Sequence, residues 1–86
     1  MSFRMIRTGQ WVIMRTDTRQ YFVRSQVTAL GTAHGWAEVP LHGKKFSSQS
    51  EAQAAARALP DCAGFAYCEL IDFGDHIEAE RQLTPA

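Results

Sequence analysis

Residues 46–60 admit little other than a short amphipathic helix marked at both ends. Ser48 and Glu51 stand in capping-box spacing. The Ser48 hydroxyl can accept from the backbone amide of Glu51, and the Glu51 carboxylate can reach back to the amide of Ser48. Ala52, Ala55, Ala56 and Leu59 then fall at i, i+3, i+4 and i+7 and form one face, with Gln49, Gln53 and Arg57 on the other. Pro60 cannot continue the helix without losing a hydrogen bond and clashing with the preceding turn, so it sets the end near Leu59. A stripe of alanines buries little by itself, but it lets a helix lie close to a sheet.

The strands that would form that sheet lie on both sides of the helix. Residues 65–73 alternate, with Phe65, Tyr67, Glu69, Ile71 and Phe73 on one face and Ala66, Cys68, Leu70 and Asp72 on the other. The smaller set is expected against the alanine face, which leaves the aromatic row in need of a cover. Residues 10–16 are rich in β-branched and aromatic types and apolar on both sides at their centre, which predicts an interior strand. Residues 17–20 are polar and without glycine, so a four-residue loop should return the chain into a second strand at residues 21–24. Residues 28–45 are broken by Gly31, Gly35, Pro40 and Gly43; within them residues 36–39 read as a third strand, held to an edge by Pro40.

The expected fold is therefore α+β in two layers, a three- to four-stranded antiparallel sheet on one alanine-rich helix, in the order β-β-(β)-α-β. At 86 residues it is read as a single domain, 1–86. Residues 1–9 read as an N-terminal arm and residues 74–86 as an extension. Asp75 and Glu78 have capping-box spacing, with Ala79 and Leu83 on one stripe, so residues 75–83 read either as a short second helix or as a tail.

Composition excludes several classes. Apolar residues make up 45% and charged residues 21%, an ordinary globular balance rather than a disordered one. No apolar run reaches the ~18 residues of a membrane span, and the first residues lack the apolar stretch of a secretion signal, so a cytoplasmic protein is expected. In that compartment Cys62 and Cys68 should be free thiols. The net charge of zero hides a division. Residues 1–45 hold seven basic and two acidic residues, a net +5, and residues 46–86 hold two basic and seven acidic, a net −5. The two halves can neutralise each other across the sheet, or each can present its charge to a partner.

Trp11-Val12-Ile13-Met14-Arg15, Trp36, and Phe46-Ser47-Ser48-Gln49-Ser50-Glu51-Ala52 together resemble a loose group of small bacterial and phage proteins, mostly of unassigned function. These open on an aromatic-Val-Ile-x-Arg strand, carry a mid-chain tryptophan, and place Phe-Ser-x-x-x-Glu-Ala before an alanine-rich helix and a final strand. The likeness covers about residues 10–73. It implies a phage or mobile-element accessory protein and carries over no catalytic residue. The N-terminal arm and the acidic C-terminal extension depart from it.

No catalytic, metal or cofactor site is expected. His34, His42, Cys62, Cys68 and His76 are too irregularly spaced for a metal unit, and Gly31 and Gly35 lack the lysine and the strand–helix setting of a phosphate loop. Cys68 should be packed, and Asp61 beside Cys62 disfavours a thiolate there. The favoured expectation is a non-enzymatic protein-binding module, an inhibitor of a host defence system such as CRISPR interference. It would occlude a partner's nucleic-acid-binding surface with Asp72, Asp75, Glu78 and Glu80, together with Trp36, spaced carboxylates standing in for phosphates. The first alternative is nucleic-acid binding through Arg15, Arg19, Arg24, Lys44 and Lys45, with Trp11, Tyr21 and Phe22 as stacking platforms. The second is a homodimer that pairs its sheets at the 36–39 edge or buries the aromatic face.

Overall fold

The computed structural model describes residues 5–59 and 64–81. Its elements are β1 (Ile6–Arg15), β2 (Tyr21–Thr28), β3 (Gly31–Ala37), a single 3-10 turn (Pro40–His42), α1 (Gln49–Ala56), β4 (Phe65–Asp72) and β5 (Ile77–Arg81). The strands form one antiparallel sheet in the order β3-β2-β1-β4-β5. The α+β class stands, with five strands in place of three or four.

β1 is the central strand, as its two-sided apolar middle requires: Val12 and Ile13 are both fully buried, on opposite faces. It begins at Ile6, so residues 6–9 of the expected N-terminal arm are strand, and residues 1–4 of that arm lie outside the described residues. Thr8, Gly9 and Gln10 form a bulge between the paired residues Arg7 and Trp11. Gly9 takes a left-handed φ of 72°, and the Thr8 hydroxyl donates to the Leu70 carbonyl and accepts from the Gln10 amide. The β1–β2 loop closes with the Arg15 amide donating to the Gln20 carbonyl, and Arg19 takes a left-handed φ of 58° where a glycine is more usual.

β1 and β2 meet directly at Met14 and Tyr21 and then diverge. Residues 44–46 fill the split: the Lys44 amide donates to the Phe22 carbonyl, and Phe46 exchanges two backbone hydrogen bonds with Trp11. Freed from β1, β2 continues with β3 as a two-stranded ribbon. β3 runs over residues 31–37 rather than 36–39. Gly35 lies against β2, where a Cβ would sit 3.8 Å from Cγ of Arg24, while a Cβ on Gly31 at the tip would meet nothing within 4 Å.

α1 keeps its expected start and its expected face. The Ser48 hydroxyl accepts from the Glu51 amide, while the Glu51 carboxylate is bonded by the Ser47 hydroxyl instead of the Ser48 amide. Ala52, Ala56 and Leu59 are buried; the last α-helical residue is Ala56, and turns carry the chain on to Leu59. The surface that α1 packs on is the reverse of the one expected. Its alanines meet Trp11, Ile13, Phe22, Trp36, Phe46, Phe65 and Tyr67, the aromatic side of the sheet. Alanine leaves the space between the layers to be filled from below, and rings fill it where Ala66 and Cys68 would leave voids.

The smaller side chains serve the second face. Val12, Ala66, Cys68 and Leu70 are buried there among Met14, Tyr21, Ile77 and Ala79. The sheet curls over this side, and the Pro40–His42 turn touches both β2 and β5. Residues 75–81 do not begin a helix, and Leu83 of the expected stripe lies outside the described residues. Gly74, at φ 97°, donates its amide to the Asp72 carboxylate, the Phe73 amide donates to the His76 carbonyl, and β5 returns along β4. Ile77 and Ala79 turn inward while Glu78 and Glu80 stay exposed, a period of two that overrides the capping-box spacing.

Candidate protein-interaction surfaces

The acidic residues lie on β4, β5 and their connecting turn, and most are engaged. The β4–β5 register sets Glu69 opposite Glu80, a repulsive arrangement resolved by Arg7, whose Nη1 lies 2.9 Å from Glu69 and whose Nη2 lies 3.3 Å from Glu80. The two carboxylates hold the Arg7 guanidinium above its ordinary pKa. Asp75 lies 2.6 Å from Nδ1 of His76, Glu78 lies 3.5 Å from its Nε2, and the imidazole stacks on Phe73. Hydrogen bonding with Asp75 raises the His76 pKa and lowers that of Asp75. Asp72 accepts from Gly74, as above. The strip that reads as a row of carboxylates is thus threaded with Arg7, a cation from the basic half, and with the His76 imidazole.

The basic candidates scatter. The Arg15 guanidinium pairs with Asp17 at 2.9 Å and lies 5.0 Å from the centre of the Trp36 ring, and the same pairing holds the Asp17 carboxyl below its usual range. Lys45 donates to the carbonyls of Leu41 and Gly43 and so secures the 3-10 turn. Lys44 sits 5.5 Å from the centre of the Phe46 ring. Arg19 and Arg24 are exposed, one in a turn and the other at the base of the ribbon. The proposed stacking rings are largely consumed by packing: Phe22 is buried and Trp11 half-buried on the helix side, and Tyr21 is half-buried on the other face.

Trp36 joins an aromatic cluster, edge-on to Phe22 and stacked on Phe65 with 6.2 Å between centroids. Beside it, a concavity of about 420 Å³ lies between the end of α1 and β4, lined by Gln53, Ala56, Arg57, Leu59, Phe65 and Tyr67. It went unread in the sequence because it depends on which face of β4 meets the helix. Among the described residues no group of three or more His, Cys, Asp or Glu could hold a metal ion. Cys68 is a free, buried thiol whose pKa burial pushes up to about 11, so it is no nucleophile at neutral pH; Cys62 lies outside the described residues. Among the described residues no helix is long and apolar enough to cross a membrane.

The surface least foreseen is the ribbon. From Arg24 to Ala33 every residue is exposed; Val27 retains 83% of its accessible surface and Leu30, at the tip, all of it. Residues 25–33 carry no charged side chain. The Ser25 hydroxyl and Nδ1 of His34 lie 2.7 Å apart across the strands, and the Thr28 hydroxyl closes the turn on the Gly31 carbonyl. The projection gives the molecule a long axis of 53 Å against 30 and 22 Å. Comparison with models of known protein families, with curated proteins and with solved structures finds no match.

Proposed function

We propose that this chain is a non-enzymatic protein-binding module that takes its partner by strand addition at the β2–β3 ribbon. One observation carries the reading: residues 24–33 form a ribbon exposed on both faces. β3 is an edge strand without lysine or proline to guard it, and every edge strand offers unpaired backbone groups to an incoming strand. A lone two-stranded hairpin is marginal in water, so a third strand would stabilise the ribbon as well as the complex. The acidic strip supports an occlusion role less well, because Arg7 pairs with Glu69 and Glu80 and Asp75 is engaged by His76. Nucleic-acid binding is disfavoured because the rings it needs are packed and Arg15 and Lys45 are engaged within the fold.

The test is to replace residues 26–33 by an Asn-Gly turn and compare affinity capture by the shortened and intact chains. The shortened chain should keep a cooperative melt, because the body's core lies outside the deleted residues, and should lose whatever protein the intact chain retains specifically. Retention of the same partner at the same strength would refute the ribbon as the binding element.

A further inference from the structure

We infer that the ribbon's partner is a second copy of this chain, paired antiparallel through β3 about a twofold axis near His34 and Gly35. The inference rests on the strand-addition reading above and adds the identity of the occupant.

Three observations favour a second copy. The first is charge. Residues 25–33 are uncharged and the whole chain has a formal net charge of zero, so two identical ribbons meet without repulsion and nothing on the ribbon selects an oppositely charged partner. The second is the contrast between the two outer strands. β5 presents Glu78 and Glu80 on its exposed positions with Arg81 beyond them, a charged edge that resists pairing. The exposed part of β3, Gly31, Thr32 and Ala33, has no such protection. Of the two outer strands β3 is therefore the one open to another copy, and pairing about a twofold axis closes on two molecules.

The third is reach. His34 and Gly35 lie midway between Leu30 at the ribbon tip and Val39, two residues past the end of β3. At about 3.3 Å per residue, the tip of one copy extends as far as Val39 of the other. An antiparallel pair centred there brings Leu30, fully exposed, alongside Val39 and Leu41 of the second copy, which are 47% and 45% exposed. These are among the exposed large hydrophobics of the described residues, and the symmetry seats them against one another twice. The two ribbons become a four-stranded sheet at the centre of a continuous ten-stranded one, and the marginal stability of a lone hairpin no longer applies.

The experiment is sedimentation equilibrium of the full chain across a wide concentration range. The wild type should sediment as a dimer. Thr32→Lys with Ala33→Lys, which places on β3 the kind of charge that guards β5, should sediment as a monomer with an unchanged circular-dichroism melt of the body. Leu30→Asp, at a fully exposed side chain, should weaken dimerisation at least about tenfold, which keeps the inference testable should the double lysine variant fail to fold. A wild type that stays monomeric throughout, or a dimer that survives both changes, overturns it. The failures separate cleanly. A monomeric wild type whose captured partner is lost on shortening the ribbon removes the second copy and leaves strand addition standing; a partner retained by the shortened chain removes strand addition itself.

Discussion

Val12→Ala distinguishes a sheet covered on both faces from a sheet with one face in water. Val12 is fully buried, on the face turned away from α1. In an open two-layer fold it would meet solvent, and its truncation would cost within about 0.5 kcal/mol. Here the change removes two methyl groups at about 0.8 kcal/mol each and leaves a cavity, a total of roughly 2–3 kcal/mol. That is a large share of the ~4–13 kcal/mol expected for a domain of this length. The cover is identified by its partner change, Gly43→Ala. A Cβ at Gly43 would lie 3.2 Å from Cβ of Tyr21 and 3.3 Å from both Cγ1 of Val12 and the Pro40 carbonyl. Gly43 has φ −70°, open to any residue, so only crowding is at stake, at about 1–3 kcal/mol. Removing Cγ1 of Val12 makes room for part of that methyl, and the double variant should be less destabilised than the sum by about 0.5 kcal/mol or more. Urea unfolding of the four proteins, with similar slopes, measures all three quantities. A near-neutral Val12→Ala, or strict additivity, would refute the curled sheet and the placement of residues 40–43 on it.

Ser48→Ala should destabilise the protein by about 1 kcal/mol in the same assay, since it leaves the Glu51 amide without its acceptor, while Ser50→Ala on the exposed side should be close to neutral. In a chain carrying Cys62→Ser, alkylation of Cys68 at neutral pH should proceed only as fast as the protein opens; rapid labelling of the native state would contradict its burial. The pH dependence of the β4–β5 turn follows from His76 and Asp75. A histidine pKa raised by folding contributes stability that is complete below its unfolded value and is lost as pH rises through the folded one. The lowered Asp75 pKa contributes above its unfolded value and is lost as pH falls through the folded one. The His76 side chain is 52% exposed, so screening keeps the gain small; the measurement is an NMR titration, in which Asp75→Asn should bring the His76 pKa down towards its ordinary value near 6.5. An unchanged titration would show that the contact does not persist in solution.

What the sequence made legible was local. The Ser48 cap, the alanine face of α1 and the central position of β1 each follow from residues within a few positions of one another, and the structure has all three. Two misreadings came from local signals with more than one physical use. Asp75 and Glu78 stand at helix-capping spacing, yet Gly74 and the Asp72 carboxylate make a turn there, and the alternation of Ile77, Glu78, Ala79 and Glu80 suits a strand equally well. Gly35 reads as a breaker because its neighbours on β2, Val23 and Arg24, are out of view in a linear reading. The reversed face of β4 is a third kind of error. Matching small side chains to small ones ignores that a layer of fixed spacing needs a large residue somewhere, and Phe65 and Tyr67 supply it beneath Ala52 and Ala56.

The candidate surfaces shifted for a related reason. Charge is visible in a sequence, and so the division between a basic first half and an acidic second half drew attention to Arg15, Arg19 and Arg24 and to Asp72, Asp75, Glu78 and Glu80. Folding brings part of each set together. Arg7 from the first half closes on Glu69 and Glu80 from the second, because β1 and β5 flank β4 and the Gly9 bulge re-aims the start of β1. Charges that satisfy one another within the monomer are poor evidence of a partner. The ribbon carries the opposite signature: uncharged, short of large side chains, and therefore unremarked as a sequence. Its meaning comes from a backbone event, the divergence of β1 from β2 after Met14 and Tyr21 and the insertion of residues 44–46 between them. That wedge turns a hairpin which would otherwise lie flat in the sheet into a free arm with an edge to offer. A partner-binding role for this chain accordingly rests on hydrogen-bonding capacity left over by topology, and on the exposed Leu30, rather than on the residues whose charge first suggested one.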